Sequence, residues 1–456
     1  MRFPAFFLAC VMAVFTLVHE VSATPLFSRQ VGMNCSACHF QHFPMLNGFG
    51  RAFKSAGYTM IGSQEKVQGE GLSIPTTLNM AVVTTAGYEK SNMAQGAYPV
   101  RSTGNGVTYL PGSGGELSLF FGGRISEIAG FIGELAVGDV VGGGHSAAKM
   151  PIDMSFIFTS VPTSSKISIV PFATDSLGAS YGFEVLNTGA NVVHQMVSAN
   201  GINAAHSGAF SAQQYIGTDG SAKGVAFVAS HPSGFVNVTR FDRTGVTGGQ
   251  QASLGSTYVR IAGFFNLGNW DAAAGVQVWN GKSAVGNPDT TTAAAQPLVT
   301  ADTKAKAVDG QLQGSLGETP VGFYASYATA PAVAASAGFM GNAYNTFYTQ
   351  DVPAAPTKGI LLAGHSTKSS LNISTEVGVI PDKATIGAGI RIGKSGDGKT
   401  DNAIMLMGTY KVTRNMLASL SVTSASGSYW YSNPTNTGTT DQIGNTTYTV
   451  NLFTAF

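Results

Sequence analysis

Cysteine, charge and long apolar runs are all scarce in this 456-residue sequence. It has three cysteines, and only two of them lie beyond residue 23, so a disulfide framework is excluded. Charged residues make up 11% of the chain, against about 25% in soluble domains, which argues against an ordinary soluble enzyme. Beyond residue 23 no apolar stretch approaches the roughly 20 residues that a membrane-spanning helix requires. A net charge of +1 gives no case for nucleic-acid binding.

The N-terminus has the three parts of a secretory signal peptide. Met1-Arg2 is the charged region, Ala5 to Val18 is the apolar region, and Val21-Ser22-Ala23 supplies the small residues of a cleavage site. We therefore predict that residues 1–23 direct export and that the mature chain begins near Thr24.

Cys35-Ser36-Ala37-Cys38-His39 matches C-x-x-C-H, the covalent attachment site of a c-type haem. In such a site the two thiols add to the haem vinyl groups and the histidine binds iron. A chance C-x-x-C would instead be a redox disulfide, half of a zinc site or two unrelated thiols. A second ligand cluster with zinc spacing does not follow in the sequence, so the redox disulfide is the main alternative. The motif predicts one covalent haem c, bound by Cys35 and Cys38, with His39 as the metal ligand.

The composition of the remaining chain favours strands that face lipid on one side and a lumen on the other, because charge is low and glycine reaches 58 residues. At the C-terminus, Tyr448, Val450, Leu452, Thr454 and Phe456 alternate with more polar residues. This alternation and the final phenylalanine resemble the last strand of bacterial outer-membrane barrels. A globular antiparallel strand would also alternate.

The connections between strand-like runs alternate between short and long, as in outer-membrane barrels. Tight turns are predicted at Pro381-Asp382-Lys383 and Thr413-Arg414-Asn415, and longer loops at Gly393 to Asn402 and Ser424 to Thr446. The runs between them have about the nine to eleven residues of a spanning strand: Leu371 to Ile380, Ala384 to Ile392, Ala403 to Val412 and Met416 to Thr423.

Upstream, the same pattern of strand-like runs and connections predicts further hairpins and long polar connections. The predicted hairpins pair Leu117 to Arg124 with Ala129 to Ala136, and Tyr258 to Phe265 with Trp270 to Trp279. Polar stretches expected outside the barrel are Ser176 to Lys223, Gly281 to Gln311 and Thr329 to Lys358. The predicted fold is all-β: residues 69–456 form a transmembrane antiparallel β-barrel of about 16 strands.

Residues 24–68 form the predicted haem-binding segment, small, mostly helical or irregular, and near the lower size limit for independent folding. Its phenylalanines would pack on a haem edge, or else form a small core of their own: Phe27, Phe40, Phe43, Phe49 and Phe53. Arg51 and Lys54 could pair with haem propionates, although solvated charges are the simpler interpretation. Because a barrel of this size has a lumen to fill, we predict that the segment is a plug.

The second axial ligand of the iron stays open among several candidates. His42 and Met45 lie near His39, but three residues span at most about 10 Å, barely enough to pass round the macrocycle. Met60 has ample reach, and the iron could also lack a second protein ligand. The histidines of the barrel region are further candidates: His145, His194, His206, His231 and His365.

Two stretches beside the haem motif resemble a known family. They are Phe27-Ser28-Arg29-Gln30, and Pro44-Met45-Leu46-Asn47-Gly48-Phe49-Gly50-Arg51-Ala52-Phe53-Lys54 running into Gly57-Tyr58. Leu117-Ser118-Leu119-Phe120-Phe121-Gly122-Gly123-Arg124-Ile125 is similar to the family's early strand. The family is that of the fused outer-membrane porin-cytochromes of iron-oxidising bacteria, with one N-terminal haem and a C-terminal barrel. Ala56 departs from the asparagine expected there.

The resemblance implies an extracellular Fe(II) oxidase in the outer membrane of a Gram-negative bacterium, which passes electrons to a periplasmic cytochrome c or a similar carrier. The haem would do the one-electron chemistry, so no catalytic side chain is predicted. Two alternatives stay open: a conduit of the same build for another electron donor or acceptor, and a solute porin whose haem segment is structural. A plug must obstruct the lumen, whereas a solute porin needs an open one. An obstructed lumen therefore distinguishes both conduits from the porin.

Overall fold

In the computed structural model, the described residues are 26–62, 64–70, 72–91, 107–112, 114–137, 152–159, 164–174, 177–189, 211–243, 253–286, 298–348, 361–431 and 446–456. Sixteen strands form the continuous antiparallel wall of a closed barrel. They are β1 (Asn79–Ser91), β2 (Leu117–Ser126), β3 (Ala129–Ala136), β4 (Ile152–Thr159), β5 (Lys166–Thr174), β6 (Ala222–His231), β7 (Gly234–Asp242), β8 (Ser256–Leu267), β9 (Trp270–Gly286), β10 (Ala305–Leu316), β11 (Thr319–Ala330), β12 (Lys368–Ile380), β13 (Ala384–Lys394), β14 (Asn402–Thr413), β15 (Met416–Ser426) and β16 (Thr446–Ala455). The predicted barrel is confirmed.

Shorter elements lie before the wall and in its connections. The helices are α1 (Leu26–Val31), α2 (Gly48–Ser55), α3 (Ala212–Ile216) and α4 (Ser428–Tyr431), with 3-10 turns at Cys35–Ala37 and Ala179–Gly182. The short strands are Lys66–Gly69, Leu72–Pro75, Val107–Pro111, Gly114–Gly115, Leu298–Asp302, Phe339–Asn342, Thr346–Tyr348 and Leu361–Ala363. No helix in the described part of the chain is long and apolar enough to cross a membrane.

The barrel closes where its last strand meets its first. β16 pairs antiparallel with β1, in a register that runs from Thr447 opposite Ser91 to Ala455 opposite Val83. Every other neighbour in the wall is also antiparallel and adjacent in the chain. Closure leaves no unpaired strand edge, which is the condition for a sheet to exist in lipid.

The wall is apolar outside and polar inside, the reverse of a soluble protein. Along β10, Asp309 and Gln311 are buried, while Val308, which precedes Asp309 and points to the other face, is half exposed. The predicted alternation in β16 is confirmed, because Tyr448, Val450 and Leu452 lie on its exposed face. An apolar outer face on a closed antiparallel barrel is the architecture of a Gram-negative outer-membrane protein.

The short and long connections fall at opposite ends of the barrel, as predicted. Gly268-Asn269 joins β8 to β9, and Arg414-Asn415 joins β14 to β15. The end with these turns, here called the short-turn end, faces the periplasm in outer-membrane barrels, while the long loops face outward.

Two of the polar stretches expected outside the barrel are placed differently by the structure. Residues 177–189 and 211–221 of the β5–β6 connection, here called the inner segment, are buried: Phe183 packs edge-on against Phe235 of β7 at 5.1 Å. The stretch from Gly281 to Gln311 was also predicted to be external, but β9 continues to Gly286 and β10 begins at Ala305. Both stretches are rich in small and polar residues. External loops have the same composition, so the sequence did not distinguish the two cases.

Candidate functional site

The C-x-x-C-H motif lies on the 3-10 turn Cys35–Ala37. The backbone N–H groups of Cys38 and His39 both donate to the carbonyl oxygen of Cys35, at 3.1 and 2.9 Å. Both thiols are free and half-buried. Burial, followed by the neighbouring Cys35, raises the pKa of the Cys38 thiol. The turn therefore places two unpaired thiols and one imidazole within five consecutive residues.

The His39 imidazole is oriented by a backbone carbonyl. Its Nδ1 lies 3.2 Å from the carbonyl oxygen of Met45, which can only accept, so Nδ1 carries the hydrogen and Nε2 keeps its lone pair. The N–H of Phe40 donates to the same Met45 oxygen at 2.8 Å. Burial lowers the pKa of His39 to about 4, so the ring is neutral at physiological pH. A neutral imidazole with one nitrogen held by a carbonyl is the usual form of a metal-binding histidine.

Two apolar side chains close to the motif in sequence are exposed. Phe43 meets the His39 ring edge-on at 5.2 Å and is 43% exposed, and Met33 beside the motif is 41% exposed. A cavity of about 210 Å³ adjoins His39, and its lining includes Asp382 and Lys383 of the β12–β13 turn. The two thiols and the imidazole are the donor set of a c-type haem, and the site lies at the short-turn end of the barrel.

Helix α2 is held against the haem motif by Asn47 and Gly50. The Asn47 side chain accepts from the Gly50 N–H at 2.9 Å, which caps the helix, and donates to the carbonyl of Ala37 at 3.0 Å. A Cβ on Gly50 would lie 2.2 Å from the carbonyl oxygen of Cys38. Only glycine permits this approach between the helix and the backbone of the motif.

Residues 26–62 contact the wall on several sides. The His42 Nε2 lies 2.6 Å from Glu376 Oε1 of β12, and the Arg51 guanidinium donates to both carboxylate oxygens of Asp271 in β9, at 2.7 and 2.5 Å. Phe43 stacks on Phe453 of β16 with ring centroids 5.0 Å apart. Because these strands are distributed around the barrel, the segment lies within the ring of the wall.

Two side chains hold the C-terminal part of residues 26–62 in place. They are Arg124, near the end of β2, and Gln30, in α1. The Arg124 guanidinium donates to the carbonyl oxygens of Thr59 and Ser73, at 2.8 and 3.1 Å. The buried Gln30 amide donates to the carbonyls of Tyr58 and Met60, at 2.6 and 2.7 Å. Both side chains belong to the stretches that resemble the porin-cytochromes, and their contacts give those residues a physical role.

The inner segment contacts both residues 26–62 and the wall. Asn187 donates to the Leu46 carbonyl and accepts from the Leu46 N–H, at 3.0 and 2.7 Å. Three residues earlier, Glu184 accepts from Arg260 of β8 at 3.0 Å. Arg260 also donates to both oxygens of Asp309 in β10, at 2.5 and 2.8 Å, and all three charged groups are buried. Burial raises the pKa of Glu184 against the opposing effect of Arg260.

The candidates for a second iron ligand have other partners or lie elsewhere. Both His42 nitrogens are used, because Nδ1 lies 2.7 Å from the Phe43 carbonyl. Burial alone would lower the pKa of His42, but Glu376 raises it, and Glu376 occupies the Nε2 side of the ring. Met45 is buried against Tyr324, whereas Met60 is 40% exposed.

The remaining candidates are the histidines of the barrel region. His231 contacts Ser233 in the β6–β7 turn, and His365 packs against Phe347, which follows β11. His145, His194 and His206 lie outside the described residues. Within those residues, no three His, Cys, Asp or Glu side chains form a cluster that could hold a metal ion.

Two charged residues of the segment lie in environments that the sequence did not predict. Arg51 is buried, pairs with Asp271 and has its guanidinium 5.1 Å from the centre of the Phe264 ring, so the interpretation as a solvated charge is wrong for it, whereas propionate pairing stays a prediction. Burial lowers the pKa of Lys54 to about 8, which Glu184 partly opposes. Neither environment is visible in the sequence, because the partners are more than a hundred residues away.

Sequence reasoning missed the partners that hold the segment: Asn187, Asp271, Asp309 and Glu376. Glu376 and Asp309 are single acids inside strand-like runs, and each has a valine beside it, Val377 and Val308. A charged residue at such a position must face the lumen, since the other face meets lipid. That signal was available for Glu376 and Asp309, and Asp271 lies in a strand as well, between Trp270 and Ala272 of β9. Asn187 offered none.

Comparison with known proteins finds similarity of fold at low sequence identity. No protein-family profile matches the chain. No protein of curated function matches it either. Among solved structures, OmpT of Vibrio cholerae is similar over 86% of this chain and 100% of its own, with 10% identity and a TM-score of 0.44. The outer-membrane channel DcaP of Acinetobacter baumannii covers 86% of this chain and 99% of its own, with 12% identity and a TM-score of 0.42. A variant of the Rh. blastica porin is similar over 83% of this chain and 100% of its own, with 11% identity and a TM-score of 0.43.

These comparisons contain nothing that supports a fused cytochrome, electron transfer or iron oxidation. The closed antiparallel wall with its apolar outer face supports the coarser statement: the chain is a porin-like β-barrel of the Gram-negative outer membrane.

Proposed function

We propose that this protein is an outer-membrane electron conduit. It takes electrons from extracellular Fe(II) and passes them, through a covalent haem c at Cys35, Cys38 and His39, to a periplasmic carrier such as a cytochrome c. The observation that carries the proposal is the arrangement of the motif: two free thiols and an imidazole whose Nε2 is left available by the hydrogen bond from Nδ1 to Met45.

The residues of this chain would bind and orient the haem. Cys35 and Cys38 would form the thioether bonds, and His39 would bind the iron through Nε2. The bound haem supplies one-electron transfer. The chain contributes the orientation of the imidazole through the Met45 carbonyl, and an apolar surface through Phe43. No side chain has to move a proton or attack a substrate, so the only catalytic centre is the cofactor.

The position of the site favours an exit toward the periplasm. The cavity beside His39 is bordered by Asp382 and Lys383, which belong to a turn of the short-turn end. That end faces the periplasm in barrels of this class, so a periplasmic carrier would meet the haem there.

Fe(II) is the proposed donor because oxidised iron is nearly insoluble at neutral pH. A cell that oxidised iron internally would precipitate mineral inside itself, whereas a conduit through the outer membrane leaves the product outside. The resemblance around residues 44–54 supports the same donor.

The second candidate is a solute porin with a structural N-terminal segment. The fold supports this candidate more directly than it supports electron transfer, because a sixteen-stranded barrel is the architecture of solute porins. Against it stand the contacts of residues 26–62 and of the inner segment, which occupy space that a permeant solute would need. The two candidates differ in a measurable quantity, the ion conductance of the full-length protein.

A reduced-minus-oxidised absorbance spectrum after addition of Fe(II) tests the proposal. The purified protein should retain haem after acid–acetone extraction, weigh one haem more than its mature chain, and be reduced by Fe(II). The Cys35→Ala, Cys38→Ala double variant is the matched control and should carry no covalent haem. Unmodified protein from a host with full cytochrome-maturation machinery would refute the conduit. Haem that another donor reduces but Fe(II) does not would refute only the choice of iron.

A further inference from the structure

We infer that Asn187 is a positioning residue for the haem: it fixes the peptide whose carbonyl orients His39. The inference rests on the proposed function and adds to it a residue from the β5–β6 connection, which lies 148 positions from His39 in the chain. Neither the haem motif nor the stretches that resemble the porin-cytochromes contain it.

The Asn187 amide binds both polar groups of one residue. Its Nδ2 donates to the Leu46 carbonyl at 3.0 Å, and its Oδ1 accepts from the Leu46 N–H at 2.7 Å. This N–H belongs to the peptide unit whose oxygen is the Met45 carbonyl. The bond to Oδ1 holds the Met45–Leu46 peptide and the bond from Nδ2 holds the next one, Leu46–Asn47, so rotation of the Met45–Leu46 peptide would break the bond to Oδ1.

The Met45 carbonyl is the acceptor for Nδ1 of His39, at 3.2 Å. An asparagine that fixes this peptide therefore fixes the direction of the hydrogen bond to the imidazole. Partners of this kind orient a ligating histidine and raise its basicity, and their loss typically costs about 10- to 100-fold in metal affinity or activity.

Asn187 can act as a rigid support because its own backbone is held. Its N–H donates to Gln311 Oε1 of β10 at 2.7 Å, and the next residue, Thr188, donates to Asp309 at 2.7 Å. Asn187, Thr188 and Asp309 are all buried. A continuous series of hydrogen bonds thus runs from the wall through Asn187 and the Met45–Leu46 peptide to His39.

The test compares Asn187→Asp and Asn187→Leu with Asn345→Leu. The aspartate keeps the bond from the Leu46 N–H and loses the donation to its carbonyl, whereas leucine loses both. Asn345 is the matched control: it is also buried and donates to two carbonyls, but these belong to Ala330 and Ser366, far from residues 26–62 in the chain.

Three measurements are made on each full-length protein in detergent: the haem midpoint potential, the haem absorbance spectrum, and hydrogen–deuterium exchange of the peptide covering residues 39–47. A weaker bond from His39 Nδ1 makes the imidazole a poorer donor to oxidised iron, so the midpoint potential should rise, more in Asn187→Leu than in Asn187→Asp. Exchange at Leu46 should become at least tenfold faster in Asn187→Leu. Asn345→Leu should match the wild type in all three.

Wild-type potential, spectrum and exchange in a folded Asn187→Leu protein would overturn the inference and leave the conduit standing. An equal shift in Asn345→Leu would also overturn it, because the effect would then be general loosening of the lumen. Absence of covalent haem from the wild type would overturn the proposed function and the inference together. If Asn187→Leu does not assemble, Asn187→Asp, which keeps the size of the side chain, decides the outcome by the same readings.

Discussion

Replacing Arg260 with methionine should release the inner segment and open a pore through the lumen of the barrel. In the native protein the Arg260 guanidinium binds the carboxylates of Glu184 and Asp309, and all three groups are buried. Methionine fills similar space but leaves two acids without their cation. Breaking a buried ion pair by removing one partner costs about 3–5 kcal/mol, which equals a roughly 150- to 5,000-fold change in the equilibrium between held and released inner segment.

The readout is ion conductance in a planar lipid bilayer. The wild type should conduct poorly, and Arg260→Met should show larger or more frequent openings, because the inner segment would leave the lumen. The control is Arg240→Met: Arg240 lies on the exposed face of β7, where it donates to Thr257 and to the Leu254 carbonyl. It should conduct like the wild type.

Neutralising the stranded acids supplies a stricter test of the reasoning. Adding Glu184→Gln and Asp309→Asn to Arg260→Met removes both uncompensated charges, so the conductance should return toward the wild-type value. Arg260→Met with wild-type conductance and normal heat-modifiable gel mobility would refute the role of the ion cluster. So would a triple variant that conducts as much as Arg260→Met.

Four further predictions concern the segment and the wall. His39→Ala should keep covalent haem but shift its absorbance spectrum and slow reduction by Fe(II), as seen by stopped-flow absorbance; an unchanged spectrum would contradict the assignment of the ligand. Deleting residues 24–68 should raise single-channel conductance if the barrel still assembles, and unchanged conductance would refute the plug. Gly50→Ala should lower the yield of covalent haem despite a helix-propensity gain of about 1 kcal/mol, whereas Gly48→Ala, whose Cβ would meet only side-chain atoms at 3.1 Å or more, should affect it less. Removing Phe456 should reduce the heat-modifiable fraction on gels, and full assembly without it would refute its role.

The wall was predictable because one rule acts on every strand. Lipid outside and a polar lumen inside impose an alternation that is visible in β16, and the predicted strands from Leu371 to Thr423 agree with the structure to within three residues at each end. The tight turn after Ile380 was equally visible, since Pro381 and Asp382 are turn residues.

The inner segment and the partners of the haem motif were not predictable in the same way. Residues 177–189 have the small, polar composition of an external loop, and the sequence offers no sign that Phe183 is buried against Phe235. The partner of Arg51 is more than two hundred residues away, so only the closed barrel brings Asp271 to it. Local pattern defines the strands, whereas these contacts depend on how sixteen strands close.

Closure of the wall by β16 on β1 sets an order of events in biogenesis. Residues 26–62 precede β1 in the chain, and β16 is the last strand to leave the translocation machinery. If Cys35 and Cys38 carry a haem, as proposed, an enzyme that acts before closure meets thiols that the wall does not yet surround. An enzyme that acts after closure has to reach two half-buried thiols from the short-turn end of the barrel.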